Sequence, residues 1–310
     1  FTRTGVGWAF VEGALKAIFP ILIIILMAIY SYNVLLESGK IEIIKKQFTG
    51  ISQDKSIQVL LLVWGFGGLL EGMAGFGTAV AIPAAILISL GFKPGFSALV
   101  SLIANSVATG FGAVGVPVTT LANEIAANGA ATAGEIQAIS AHVVLQLSVL
   151  MFIIPYIILF LTDRSAKSQP KNIILALLVG GVSLAVQYAS ARYLGAETPA
   201  IFGSIVAIIV IITFAKLTAK KAADTSVALE KYSGKQIFEA WSVYLFILFF
   251  IVLASPVSGP VSDFLKSNLV SKIALPIYHD GKTFNFGWLS NAGLMLFLGA
   301  FIGGLVQGVS

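Results

Sequence analysis

A chain of 310 residues that is 57% hydrophobic, only 11% charged and of mean hydropathy +0.96 does not compose a soluble domain, where about 25% charge is usual. Its net charge of +5 does not point to nucleic acid, because the basic residues sit in loops between apolar runs and act as topology signals. With no cysteine there is no disulfide framework, no thiolate metal site and no cysteine nucleophile.

A bilayer core about 30 Å thick needs about 20 mostly apolar residues per spanning helix. The first such run is 17–36, after a mixed segment around Trp8 and Glu12 that reads as interfacial. A charged stretch, 37–56, follows with Lys40, Lys45, Lys46 and Lys55. Further full-length spans are predicted at 139–161, 172–188, 199–217, 237–254 and 288–309, with one longer polar linker at 216–235. The chain opens on Phe1 and stops inside an apolar run, so it reads as part of a longer protein.

Region 57–122 breaks this regularity. It carries three Gly-Phe-Gly triplets, beginning at Gly65, Gly75 and Gly110, and glycine costs a helix interior roughly 1 kcal/mol each. The run 57–71 would make an arm of about 22 Å and the run 78–90 one of about 20 Å, each short of a full crossing. Two short arms meeting at a glycine-rich tip predict a re-entrant helical hairpin. The next run, 97–122, is long enough to span but is interrupted by Gly110, Gly112, Gly115 and Pro117, which predicts a discontinuous helix. Broken backbone at membrane depth is tolerated only where protein or a water-filled cavity covers it. If the loops at 37–56, 91–95, 162–171 and 216–236 face the cytoplasm, they hold 13 of the 19 basic residues, the expected bias. The fold class is therefore an all-α polytopic membrane protein.

Three features converge on this region as a candidate site. Helix ends near Thr78 and after Pro117 would aim unsatisfied N–H groups at the interior, where an anion is stabilised. Gly75, Phe76 and Gly77 form the tip before the first of these ends, and Thr119 is a hydroxyl donor beside the second. Ser97, Ser101, Asn105 and Thr109 recur every four residues as one polar stripe. Within it, Asn105, Ser106 and Thr109, just before Gly110 and Gly112, are the substrate-contact candidates, with Asn105 expected near mid-membrane. Ser97 and Ser101 read as helix-packing hydroxyls. Glu71 is an ionisable group in an apolar run, by default a functional residue and here a proton-carrier candidate. His142, with Gln146 one turn on, is a second proton candidate, although a satisfied structural histidine is the favoured reading there.

Other patterns are weaker. The stretch from Gly110 to Gly115 matches G-x-G-x-x-G, but no strand before it or acid about 20 residues after it supports a dinucleotide site. Gly68-x-x-x-Gly72 and Gly299-x-x-x-Gly303 fit close helix packing. His142 and His279 are far apart, so no metal site is expected, and nothing asks for a cofactor.

The run EGMAGFGTAVAIPAAILISLGFKP, followed by LIANSVATGFGAVGVPVTTLA, resembles the bacterial lactate permease family. The positions that carry the likeness are Glu71-Gly72, 74–77, 91–94, Asn105 and 110–117. The resemblance implies a secondary transporter that moves L-lactate, and in some members glycolate or D-lactate, together with protons across the bacterial plasma membrane. It also implies two repeats of inverted topology, each with a hairpin and a broken helix. On that basis 1–310 is one transporter domain: 57–122 the transport element, 139–217 scaffold, and 237–310 the start of the second repeat. The expected partners are a small carboxylate, protons and the lipid bilayer, with no nucleic acid and an open oligomeric state. Sodium-coupled transport of di- or tricarboxylates is a second reading, weakened by the lack of arginine in the central motif. An intramembrane hydrolase would have to use Ser106 and His142, and a purely structural subunit would leave Glu71 without a purpose.

Overall fold

The computed structural model describes residues 3–73, 75, 78–126, 131–218, 232–254, 258–276 and 283–309. In chain order its helices are α1 (Arg3–Lys16), α2 (Ile23–Glu37), α3 (Ile41–Ile51), α4 (Lys55–Leu60), α5 (Gly67–Met73), α6 (Thr78–Ser89) and α7 (Pro94–Ala108). They continue with α8 (Gly112–Ile125), α9 (Ala133–Thr162), α10 (Gln169–Tyr193), α11 (Pro199–Thr218), α12 (Gly234–Ala254) and α13 (Pro260–Ser267). Strands β1 (Val270–Ile273) and β2 (Phe284–Gly287) then precede α14 (Ala292–Gln307). Contacts divide the chain into two units, 38–241 and the pair of segments 1–37 and 242–310. Phe76, Gly77, His279 and the linker residues 219–231 lie outside the described residues.

Among the described residues six helices are long and apolar enough to cross a membrane: Lys55–Met73, Pro94–Ile125, Ala133–Thr162, Gln169–Tyr193, Pro199–Thr218 and Gly234–Ala254. Lys55–Met73 is one helix because a π-helical turn, Leu61–Phe66, joins α4 to α5. Asp54 starts it by accepting hydrogen bonds from the N–H groups of Ser56 and Ile57, and also pairs with Lys171. Its apolar window is 89% buried, against 33 to 44% for the other five, so this helix is enclosed by protein. The outer helices show what lipid would meet, with Leu145, Val149 and Ile153 on α9 and Ile174 and Leu177 on α10 all exposed.

The packing of the 38–241 unit follows from small residues. Gly65 lies against Ile208, Gly68 against the Ser204 hydroxyl, and Gly72 against Ala200 and Ile201. Rising numbers on one helix meet falling numbers on the other, so α5 runs antiparallel to α11 in close contact. Gly67 lies against the Ala79 carbonyl and Pro83, which folds α6 back on α5 as a hairpin. On α10, Gly180 sits against the Met151 carbonyl, where a Cβ would approach to 2.7 Å. Both covered carbonyls lie four residues before a proline, Pro83 and Pro155, and so lose their helical N–H partner. In each case a glycine brings its Cα–H to the freed oxygen, a weak hydrogen bond where lipid offers none.

In the other unit α14 packs on α2. Gly299 and Gly303 lie against Ile247 and Val243 of α12, and the Ser242 hydroxyl donates to the Gly303 carbonyl at 3.0 Å. The expected close-packing role of this glycine pair is thus realised. Strands β1 and β2 pair antiparallel, Val270 with Gly287 and Ile273 with Phe284.

Three sequence expectations change. The first hairpin arm is 19 residues rather than 15, about 28 Å, because the Asp54 cap sets the start two residues earlier and the helix runs on to Met73. The expected span 288–309 is shorter: Asn291 caps α14 by accepting from the Gly293 N–H, and the residues before it form β2. The expected span 17–36 is kinked at Phe19 (φ −119°, ψ 103°), beside Pro20.

Candidate functional site

The predicted helix break is present and sharply defined. After α7 the chain makes one 3-10 turn, Thr109–Phe111, and Gly112 is extended (ψ 159°). Ala113, Val114 and Gly115 then take left-handed conformations with φ of 46°, 60° and 72° before helix resumes. For alanine and valine this costs about 1 to 2 kcal/mol each, and a β-branched residue there is an outlier. Strain of this kind persists only where surrounding contacts hold it in place.

Those contacts are made by the hairpin tip and by the turn before α11. Gly75 has a φ of 61°, and a Cβ on it would meet Ala113 at 2.9 Å. Gly115 is pressed against the Ala196 carbonyl so closely that no side chain fits between them. The turn holding Ala196 is itself fixed, since the Ser190 and Thr198 hydroxyls are 2.7 Å apart and Thr198 is fully buried. Thus the break is clamped from two sides.

Glu71 completes the arrangement. It lies on α5 one turn before Gly75, is only 3% exposed, and its carboxylate rests directly on Gly112, filling the place a Cβ would take. Asn105 is a polar neighbour of that carboxylate. Yet Glu71 Oε2 and Asn105 Oδ1 have no hydrogen-bond partner. The Asn105 amide nitrogen faces the Glu71 carboxylate and also donates to Thr109 Oγ1 at 3.0 Å, and Thr109 Oγ1 donates to the Asn105 carbonyl at 2.7 Å. Two acceptor oxygens without donors, buried at a strained break, make a place where a proton or a donor group is favoured.

The remaining candidates divide. Asn105, Thr109, Gly112 and Gly75 gather at the break with Glu71. Gly110 is close by in sequence but faces Leu147 and Val143 of α9. Ser106 is exposed and its hydroxyl donates to the Ile103 carbonyl, 2.7 Å away. Thr119 donates back to the carbonyls of Gly115 and Val116, both at 3.1 Å, which ties the second half-helix to the break. Thr78 opens α6, just past the tip. His142 lies on the exposed side of α9 with Nδ1 2.7 Å from the Ala138 carbonyl, not at the break. Sequence reasoning missed Ala113, Val114 and Ala196, because neither alanine nor valine advertises a left-handed turn. The break lies beside the start of α11, since Gly72 meets Ala200 and Ile201, the second and third residues of that 20-residue helix.

No group of three or more histidine or acidic residues that could hold a metal ion occurs among the described residues. The sequence profile of the L-lactate permease family matches residues 3–310. An L-lactate permease of Streptococcus iniae is 38% identical over 300 residues, covering 96% of this chain and 61% of that protein. An L-lactate permease of Bacillus subtilis (strain 168) is 34% identical over 253 residues, 76% of this chain and 43% of that protein. Glycolate permease GlcA of Escherichia coli (strain K12) is 29% identical over 342 residues, 98% of this chain and 59% of that protein. The chain therefore spans 43 to 61% of the length of these three relatives. No solved structure matches it. These relatives are named as permeases and not as enzymes. A multi-pass cell-membrane protein matched along nearly its whole length, the chain belongs to the L-lactate permease family.

Proposed function

We propose that the chain provides the substrate-handling part of a secondary transporter that takes up L-lactate, D-lactate, glycolate or related 2-hydroxy monocarboxylates together with protons. The observation that carries this reading is the Glu71 carboxylate buried on Gly112 at the helix break, with Asn105 beside it. An ionised Glu71 and an anionic substrate repel strongly in a site of low dielectric. Once protonated, the same group becomes a donor to the substrate carboxylate. Proton and substrate then bind together or not at all, which is the logic of symport. The names of the relatives, L-lactate permease and glycolate permease, support the substrate class.

In this reading α5 and α6 form a re-entrant hairpin, and the element 57–122 is one copy of an inverted repeat whose second copy begins within 237–310. Backbone N–H groups at the start of α6 and in the left-handed turn of the break hold the anion, with Asn105 and Thr109 alongside. The helices in 139–217 serve as the fixed surface, with α11 meeting the glycine face of α5. We assign the proton to Glu71 rather than His142, because only Glu71 touches the break.

The test is uptake of radiolabelled L-lactate into vesicles bearing the full-length protein. An imposed inward proton gradient is expected to drive accumulation, and replacing sodium with choline is expected to change nothing. Absence of accumulation under the proton gradient would overturn proton coupling.

A further inference from the structure

The hydroxyls of α7 are not equivalent. Ser97 donates to the Lys93 carbonyl at 3.0 Å, Ser106 to Ile103 at 2.7 Å and Thr109 to Asn105 at 2.7 Å, each spending its hydrogen on its own helix. Ser101 does not. It is 1% exposed, and its Oγ has no partner. It stands one turn before Asn105 on the same stripe of α7, a helix that packs against α5, where Glu71 sits. Three buried oxygens on two packed helices are thus left open: Ser101 Oγ, Asn105 Oδ1 and Glu71 Oε2.

The chemistry of this set selects its guest. Ser101 offers one hydrogen, Asn105 Oδ1 can only accept, and the two hydrogens of Asn105 Nδ2 are directed to Thr109 and to the Glu71 carboxylate. A carboxylate oxygen would satisfy Ser101 but would face the amide oxygen acceptor to acceptor. An ammonium could donate to Asn105 but could not accept from Ser101. An alcohol O–H does both, accepting from Ser101 and donating to Asn105.

We propose that Ser101 and Asn105 Oδ1 form the seat of the substrate's 2-hydroxyl, next to the carboxylate position governed by Glu71. Ser101 is then a specificity-determining residue, the one that separates a 2-hydroxy acid from its deoxy analogue. This rests on the transport reading above.

The experiment compares L-lactate with propionate, which has the same carbon skeleton and no hydroxyl, in vesicles carrying the full-length protein. Wild type is expected to prefer lactate. In Ser101→Ala the apparent affinity for lactate is expected to fall about five- to tenfold, the weight of one neutral hydrogen bond, with propionate unchanged. Ser101→Thr, which keeps the hydroxyl, is expected to keep the preference. If Ser101→Ala does not reach the membrane, Ser101→Cys, of similar volume and a weak donor, carries the same comparison. An equal fall for both acids would mean that Ser101 holds a structural water or a packing contact, and an unchanged preference would mean it reads nothing; either overturns the assignment. If wild type takes up neither acid, the transport reading itself fails, and the assignment with it.

Discussion

Two neighbouring parts of the 38–241 unit handle the same problem in opposite ways. In α9 to α11, most polar groups displaced from the helical pattern find cover. The carbonyl freed by Pro155 is closed by Gly180, the Trp64 indole donates to Ser183 at 3.2 Å, and Ser190 meets Thr198, with the amides of Asn172 and Gln187 as exceptions. In α5 to α8 the reverse holds where it matters: two non-glycine residues sit in left-handed conformations, and Glu71, Ser101 and Asn105 keep open oxygens in one neighbourhood. The difference teaches where the fold reserves binding capacity. A surface with unstrained backbone is a bearing for its neighbours, whereas a strained break with open oxygens gathered beside it waits for a guest.

That contrast can be broken most directly at Glu71. Under the proposed coupling, Glu71→Gln keeps a permanent donor and cannot release a proton. Proton-driven lactate accumulation is expected to fall to the level of protein-free vesicles, while lactate counterflow, which needs no net proton movement, persists. An accumulation rate equal to wild type would remove Glu71 from the coupling step.

Next in size is Gly112→Ala. Its methyl must displace the Glu71 carboxylate, an overpacking cost of up to about 3 kcal/mol, with uptake and thermal stability both reduced. A stable variant with normal uptake would show that the carboxylate does not need its seat on Gly112. Gly180→Ala probes the satisfied side. Contact with the Met151 carbonyl costs about 1 to 3 kcal/mol, and the better helix propensity of alanine returns about 1 kcal/mol. A melt of the purified protein should show a small loss in midpoint, with lactate affinity unchanged.

The smallest expected effect has the opposite sign. Val→Gly inside a helix destabilises, but Val114 sits at φ 60° and is only half-buried. Val114→Gly removes about 1 to 2 kcal/mol of left-handed strain against about 1 kcal/mol of added chain entropy. Stability is expected to stay level or rise by less than about 1 kcal/mol. A clear drop in the melting midpoint would show that valine's packing, not its strain, dominates there.

Much of this was legible in the residues, for physical reasons. Gly110, Gly112, Gly115 and Pro117 interrupt an apolar run, so the broken helix could be read within a few residues of its true position. The Asp54 cap was also readable, and would have given the full first arm. What stayed hidden depends on contacts between distant segments. Nothing local says that Glu71 will settle on Gly112, or that Ala196 will hold Gly115. Ser101 looked like a packing hydroxyl because four-residue spacing fixes a face, not whether the bond on that face is made. The β1–β2 ribbon was missed because four residues of Phe284–Gly287 lie against an apolar run that continues into α14.

The pairing of Pro155 with Gly180 has a consequence for how such sequences can change. The two positions lie on different helices, yet the proline strips an N–H from Met151 and the glycine supplies the cover. Neither choice is sound without the other. A larger residue at 180 must move the helices apart, since its Cβ would meet the Met151 carbonyl and the Phe152 ring at 2.7 Å. With an alanine at 155 and the ladder restored that move strands no oxygen, whereas beside Pro155 it leaves uncovered a carbonyl that has lost its donor. The two positions therefore form a single two-letter word, expected to be rewritten together, and a marker by which the α9–α10 register could be recognised from sequences alone.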